Sequence, residues 1–169
     1  DAVGHSPQFA PLLALDKTGV YGGSAGGHTA LTLAGGRWSP AAFRLHCDAH
    51  IAEDFSSCVG FITRLRGNFL DGIKKSLALG VIRQRFDDAT WQTHDDTRVR
   101  AVVASVPFAA DFDMASLAAP RVPLGLVVAQ KDINQVPRFH IGAVRAACTS
   151  CEVIADLPTA GHGAMLSPL

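Results

Sequence analysis

Short apolar runs along this chain alternate with longer stretches in which apolar residues recur at helical spacing. TGVYG (18–22) is β-branched and aromatic and stops at glycine, which predicts a buried strand. HTALTLAG (28–35) follows with Leu31 and Ala34 at helical spacing, and Gly35-Gly36 supplies the stop. RVRAVVASVP (98–107), PLGLVVAQKD (123–132) and CEVIADLP (151–158) predict further strands, and VPRFHIGAVRAAC (136–148) a helix opened by Pro137. SPQFAPLLAL (6–15) reads as the end of a helix with Phe9, Leu12 and Leu13 on one face. In FLDGIKKSLALGVIRQRF (69–86), Phe69, Ile73, Leu77 and Val81 recur every four residues and share one helical face. This rhythm of strand and helix implies parallel pairing, and apolar rather than alternating strands imply a sheet covered on both faces. Residues 37–97 interrupt it and read as a helical, cap-like insertion within one domain spanning 1–169. The expected fold class is α/β: a mostly parallel sheet covered by helices, with that insertion.

Composition narrows the function classes. Hydrophobic residues make up 48% and charged residues 18%, enough to build a core and unlike a disordered chain. Lys and Arg balance Asp and Glu to a net charge of +0, so no long-range field would hold a nucleic acid. Every apolar stretch is interrupted before a membrane span's length. DAVGHSPQ at the start lacks the basic-then-apolar plan of a signal peptide, and a chain opening on Asp reads as a processed or partial product. Arg64, Arg66, Lys74, Lys75, Arg83 and Arg85 bias one stretch positive; a solvated helix face is the plain reading, a docking patch for an acidic partner the alternative.

Four cysteines, at 47, 58, 148 and 151, fit either two disulfides or four reduced thiols. Only one pair has CxxC spacing, which argues against zinc, and Cys148 and Cys151 close a helical pattern rather than open one, which argues against a redox motif. A Cys47–Cys58 disulfide in an oxidising compartment is the favoured pairing. A Cys148–Cys151 bond is less favoured, because its short loop would strain the geometry.

The candidate chemistry begins at Gly22-Gly23-Ser24-Ala25-Gly26, a G-x-S-x-G between a predicted strand and a predicted helix. A turn this sharp strains the backbone, exposes the Ser24 hydroxyl and sets the Ala25 amide at a helix N-terminus, where an oxyanion is favoured. Side chains at Gly22 or Gly26 are expected to collide with the adjoining strand and helix. Serine needs a base oriented by a carboxylate. Asp132, just past the third strand, and His162, between two glycines after the fourth, are the candidates, in the order Ser, Asp, His. Asp111 and Asp113 are the competing acids. His28 and His140 read as packed or exposed helix residues, and His5, His46, His50 and His94 show no ligand spacing, so neither a metal nor another cofactor is expected. Phe55, Phe61, Phe69 and Trp91 are candidates to line an apolar site, although core is the commoner role.

The segments GVYGGSAGGHTALTLAGG, HCDAH…SSC, DDTRVRAVVASVP, VPLGLVVAQKD and LPTAGHGAML resemble the bacterial predicted dienelactone hydrolases of the α/β-hydrolase superfamily, relatives of the platelet-activating-factor acetylhydrolase-like esterases. The resemblance implies Ser24 as nucleophile, Asp132 as acid and His162 as base, and it implies a Cys47–Cys58 pair of the kind found in exported members. Dienelactone hydrolases proper carry cysteine at the elbow, so Ser24 points to an esterase on small ester substrates, with lactones or lipid-like esters as variants. About seventeen residues precede the elbow strand and seven follow His162, so the chain resembles the C-terminal portion of such a hydrolase. An apolar sheet edge and a helix face would then be open to a second copy or a complementing chain. The expected location is periplasmic or secreted, with cytoplasmic the alternative. The alternatives to a hydrolase are an acyltransferase using the same residues and a catalytically incomplete fold serving as an interaction module.

Overall fold

The computed structural model describes residues 2–60 and 62–164. Four strands, β1 (Thr18–Gly23), β3 (Val99–Ser105), β5 (Leu124–Ala129) and β6 (Glu152–Leu157), form one parallel sheet in the order β1-β3-β5-β6. A two-stranded antiparallel ribbon joins β2 (Arg37–Trp38) to β4 (Phe112–Asp113). The helices are α1 (Ala25–Leu33), α2 (Pro40–His50), α3 (Phe55–Val59), α4 (Leu70–Arg85) and α5 (Ile141–Ala147).

Each sequence strand steps one place further across the sheet, so right-handed crossovers return every connecting helix to the same side. On that side Val20, Val102, Ala104, Leu124, Leu126, Val128 and Val153 meet Ala30, Leu31, Ile141 and Val144 in the principal core. Residues of the opposite parity behave differently. Tyr21 is 58% exposed and Ile154 51%, and Ile154 lies across Gly125 toward Val103. The expectation of a sheet covered on both faces is met only in part: at this parity β5 buries Val127 and Ala129, while the edge strands β1 and β6 leave Tyr21 and Ile154 open. Apolar β-branched strands report burial in the ladder as well as burial under helices, and periodicity cannot separate the two. The outer edge of β1 pairs with no strand among the described residues.

Residues 6–15 form only a short 3-10 turn, Ala10–Leu12, with Phe9, Leu12 and Leu13 exposed. Pro7 and Pro11 remove the amides a longer helix would use. The predicted 136–148 helix is likewise broken, into a turn at Pro137–Phe139 and α5.

The insertion is mostly helical and has its own small core of Cys47, Ile51, Phe55, Cys58 and Ile82. Within it, α4 turns Ile82 and the partly buried Ala78 and Leu79 inward. Phe69, Ile73, Leu77 and Val81, which share one helical face, are exposed. Asp71 organises the start of α4: hydrogen bonding to Lys74 first, against an opposing effect of burial, and then the amides of Arg66 and Gly67 bring its carboxyl down to about 2.

Cys47 and Cys58 are joined, tying α2 to α3 with their Cα atoms 5.8 Å apart. Cys148 and Cys151 are also joined, which corrects the strain expected of so short a loop. Cys148 has left the helix for an extended conformation, and the Cα separation of 5.6 Å is an ordinary one. Two disulfides suit an oxidising, extracytoplasmic environment. No described helix is long and apolar enough to cross a membrane.

Replacing Cys47 and Cys58 together by Ser is expected to lower the unfolding free energy by about 2–3 kcal/mol, as a loop of this size predicts. Urea unfolding of the oxidised protein and the double variant measures it.

Candidate functional site

The end of β1 meets the start of α1 in an unusually close crossing. A Cβ on Gly22 would stand 2.0 Å from the carbonyl oxygen of Gly26, so residue 22 has to be glycine. The chain reverses at Ser24, which takes φ 56° and ψ −117°. This strained backbone is held by two neighbours: the Ser24 amide donates to Ser105 O (3.0 Å), and the Phe108 amide donates to Ser24 O (3.2 Å). Gly26 itself faces open space, so the collision expected there does not occur. The tight position is Gly27, where a Cβ would lie 2.8 Å from Pro107. Successive helical residues point about 100° apart, and G-x-S-x-G spacing alone does not tell which of two adjacent glycines meets the neighbouring strand. Ala25 opens α1, so its N–H has no carbonyl a turn earlier to bond.

The structure brings Ser24, Asp132 and His162 together. Ser24 Oγ lies 2.9 Å from His162 Nε2, and His162 Nδ1 lies 2.7 Å from Asp132 Oδ2. Asp132 is 4% exposed and sits just past β5. Its second oxygen accepts the amides of Asn134 (2.8 Å) and Gln135 (2.9 Å), so the turn-forming role and the histidine-orienting position belong to one carboxylate. The loop carrying His162 is pinned by the Lys131 amide donating to Ala160 O. The competing acids are engaged elsewhere: Asp111 with His28 (3.0 Å), Asp113 with Arg37 and the Ala115 amide. His28 is wedged between Trp38 and Phe112.

Sequence reasoning missed two features. Gln135 donates from Nε2 to Ser24 Oγ at 3.2 Å. The second is a buried cluster in which Asp54 Oδ2 meets His46 Nε2 and His140 Nε2, each at 2.8 Å. His140 caps α5 and is fully buried, not a residue of a helix interior. The reading that His46 has no carboxylate at ligand spacing holds only along the chain; folding places His46, Asp54 and His140 together.

The hydrogens of this cluster argue against a cation. His140 Nδ1 accepts the Ala109 amide at 3.0 Å, so the ring's proton is on Nε2, facing Asp54, and that nitrogen has no lone pair for a metal. Ser57 beside it is no second nucleophile for the same reason, because the nitrogen it touches (2.8 Å) cannot take its proton. Burial pushes the Asp54 carboxyl up, but hydrogen bonds from His140 and His46, the electrostatic attraction of His140 and the Val136 amide outweigh it and hold the group well below the usual carboxylate range. The cluster instead fixes backbone: Asp54 Oδ1 accepts the Val136 amide (3.2 Å), and Ser57 donates to Asn134 O (2.8 Å). Those residues immediately follow Asp132.

An apolar hollow of about 430 Å³ lies in the insertion between Phe43, Val59, Leu77, Val81 and Phe86, and does not touch Ser24. It shares Phe43 and Phe86 with a smaller one of about 260 Å³ that reaches Phe108. Of the aromatic candidates, Phe55 takes the commoner role in the insertion's core, Phe69 and Trp91 are exposed, and Phe61 lies outside the described residues. Comparison with protein-family models, curated proteins and solved structures returns no match.

Asp54→Asn is expected to lower stability by about 1–3 kcal/mol at pH 7, since its amide nitrogen sets a donor against donors and leaves buried polar groups unsatisfied. Because the folded-state pKa of Asp54 is depressed, its contribution is full above the unfolded value near ~4 and is lost as pH falls through the lower folded value. Denaturant unfolding of both proteins at pH 7 and pH 3 should show the gap narrowing in acid.

Proposed function

We propose that this chain is a serine hydrolase that cleaves carboxylic esters through an acyl-enzyme. The observation that carries the reading is the unbroken relay from Ser24 Oγ through His162 to Asp132, at 2.9 and 2.7 Å, on a serine held at positive φ. His162 donates its Nδ1 proton to Asp132, which leaves Nε2 as the acceptor for the Ser24 proton. Oγ attacks the ester carbonyl, the carbonyl oxygen takes the negative charge beside the Ala25 amide, and the alcohol leaves with the proton from His162. Water repeats the sequence and releases the acid.

The strand–elbow–helix unit, with the acid after a later strand and the histidine after the last, supports an α/β-hydrolase fold. The resemblance of the elbow and GH loop to dienelactone hydrolase-like esterases points the same way, and serine in place of cysteine favours esters over lactones. Apolar hollows reaching Phe108 favour an aliphatic substituent on the ester. The two disulfides support a periplasmic or secreted site of action.

A fluorophosphonate probe tests the reading. The native protein is expected to be labelled at Ser24, and Ser24→Ala to lose both labelling and at least ~10³-fold of ester turnover. Equal labelling of the variant would refute the assignment.

A further inference from the structure

Gln135 lies between the acid and the nucleophile and belongs to none of the motifs. Its backbone N–H donates to Asp132 Oδ1 at 2.9 Å, and its side-chain Nε2 donates to Ser24 Oγ at 3.2 Å. The hydrogens fix the orientation of this amide. His162 Nδ1 gives its proton to Asp132, so Nε2 accepts the one hydroxyl proton of Ser24. What Oγ then offers Gln135 is a lone pair, and only a donor can face it. The reverse orientation would set oxygen against oxygen. It would also bury an unpaired N–H where Oε1 now lies without a partner.

We propose that Gln135 is a catalytic residue whose amide stabilises Ser24 Oγ as the leaving atom when the acyl-enzyme breaks down; this rests on the serine-hydrolase reading. In acylation the free hydroxyl already accepts this N–H before attack, so the bond is present in ground and transition state alike and adds little to the rate. The ester oxygen of the acyl-enzyme, by contrast, is a poor acceptor. In deacylation the demand reverses. Water passes a proton to His162 Nε2 while its oxygen bonds to the acyl carbon. The C–Oγ bond then breaks, its electron pair returns to Oγ, His162 hands the proton to Oγ, and the carboxylic acid departs. Negative charge grows on Oγ during that cleavage, where an N–H already stands. The Ala25 amide serves a different atom, the former carbonyl oxygen, so the two donors are not interchangeable. The Gln135 donor is also preorganised: the Asp54 cluster holds the residues on either side, through Val136 N and Asn134 O. A fixed donor does not have to be reoriented at the moment of reaction.

The test is Gln135→Met, close in size but without the donor, with Gln135→Asn as a second variant and thermal unfolding to establish that each folds. Stopped-flow hydrolysis of p-nitrophenyl acetate gives the burst (acylation) and steady-state (deacylation) rates, and intact mass follows the acetyl-enzyme. In Gln135→Met the burst rate is expected to stay within about threefold of native while deacylation falls by ~10–100-fold and the acetylated protein persists. Deacylation within about twofold of native, or both rates falling together, would overturn the proposal. A native protein that shows neither a burst nor fluorophosphonate labelling would instead overturn the serine-hydrolase reading beneath it.

Discussion

The tightest glycine position among the described residues, where β1 runs into α1, sets the shape of everything around it. With the Gly26 carbonyl oxygen 2.0 Å from where a Gly22 side chain would begin, strand and helix cross with no intervening atoms, and the chain must reverse within one residue. Ser24 absorbs the reversal at φ 56°, a conformation that costs on the order of 1–3 kcal/mol and persists only where its surroundings over-determine it. Those surroundings come from the adjacent strand. Gly23 pairs with Ser105, and the residue after Ser105, Val106, is the second non-glycine at positive φ (38°). That unusual turn of a β-branched residue brings Pro107 against Gly27 and carries the Phe108 amide to the Ser24 carbonyl. Strain in one strand end is thus matched by strain in its neighbour, and the hydroxyl between them has one direction left to point.

A second constraint acts on the acid. Asp54 is an ionised carboxylate at 1% exposure, which folding tolerates only when every lone pair is engaged. Two imidazoles and the Val136 amide engage it, and the single proton of Ser57 goes to Asn134 O. Because the amide is that of Val136 and the serine holds Asn134 O, satisfying the buried charge fixes the turn that follows Asp132. Asp132 uses the same turn's amides to settle its own second oxygen. The insertion and the sheet, distant along the chain, therefore agree on one geometry for the acid through hydrogen bonds that would each be costly to leave unmade.

This division explains what was legible in the sequence. The elbow, Asp132 and His162 could be read because each follows an apolar strand, and strands in a parallel sheet deliver their ends to the same side. The four sheet strands were read to within three residues at each end for the same reason. The Asp54 cluster could not be, because its members are linked by packing of α2 and α3 against the turn before α5, and no period along the chain records that contact. Gln135 could not be either: a single polar residue in a polar loop carries no pattern. The α4 stripe was legible only as a shared face, because periodicity shows that apolar residues share a face, not which way the face looks. The β2–β4 ribbon, two residues a side, falls below the length at which alternation is a signal.

The Cys47–Cys58 bond links these considerations. It closes a short loop that contains both Asp54 and Ser57, the two side chains that reach across to the turn after Asp132. Ordering such a loop costs about 1–2 kcal/mol of backbone entropy per residue, and the small core around Phe55 and Ile82 has little apolar surface with which to offset it. Closing the loop covalently removes part of that cost in advance, by restricting the unfolded ensemble. The redox state that allows the bond and the geometry that orients Asp132 are therefore coupled, even though neither sulfur lies in the relay. A reduced protein would have to order this loop without the covalent restraint.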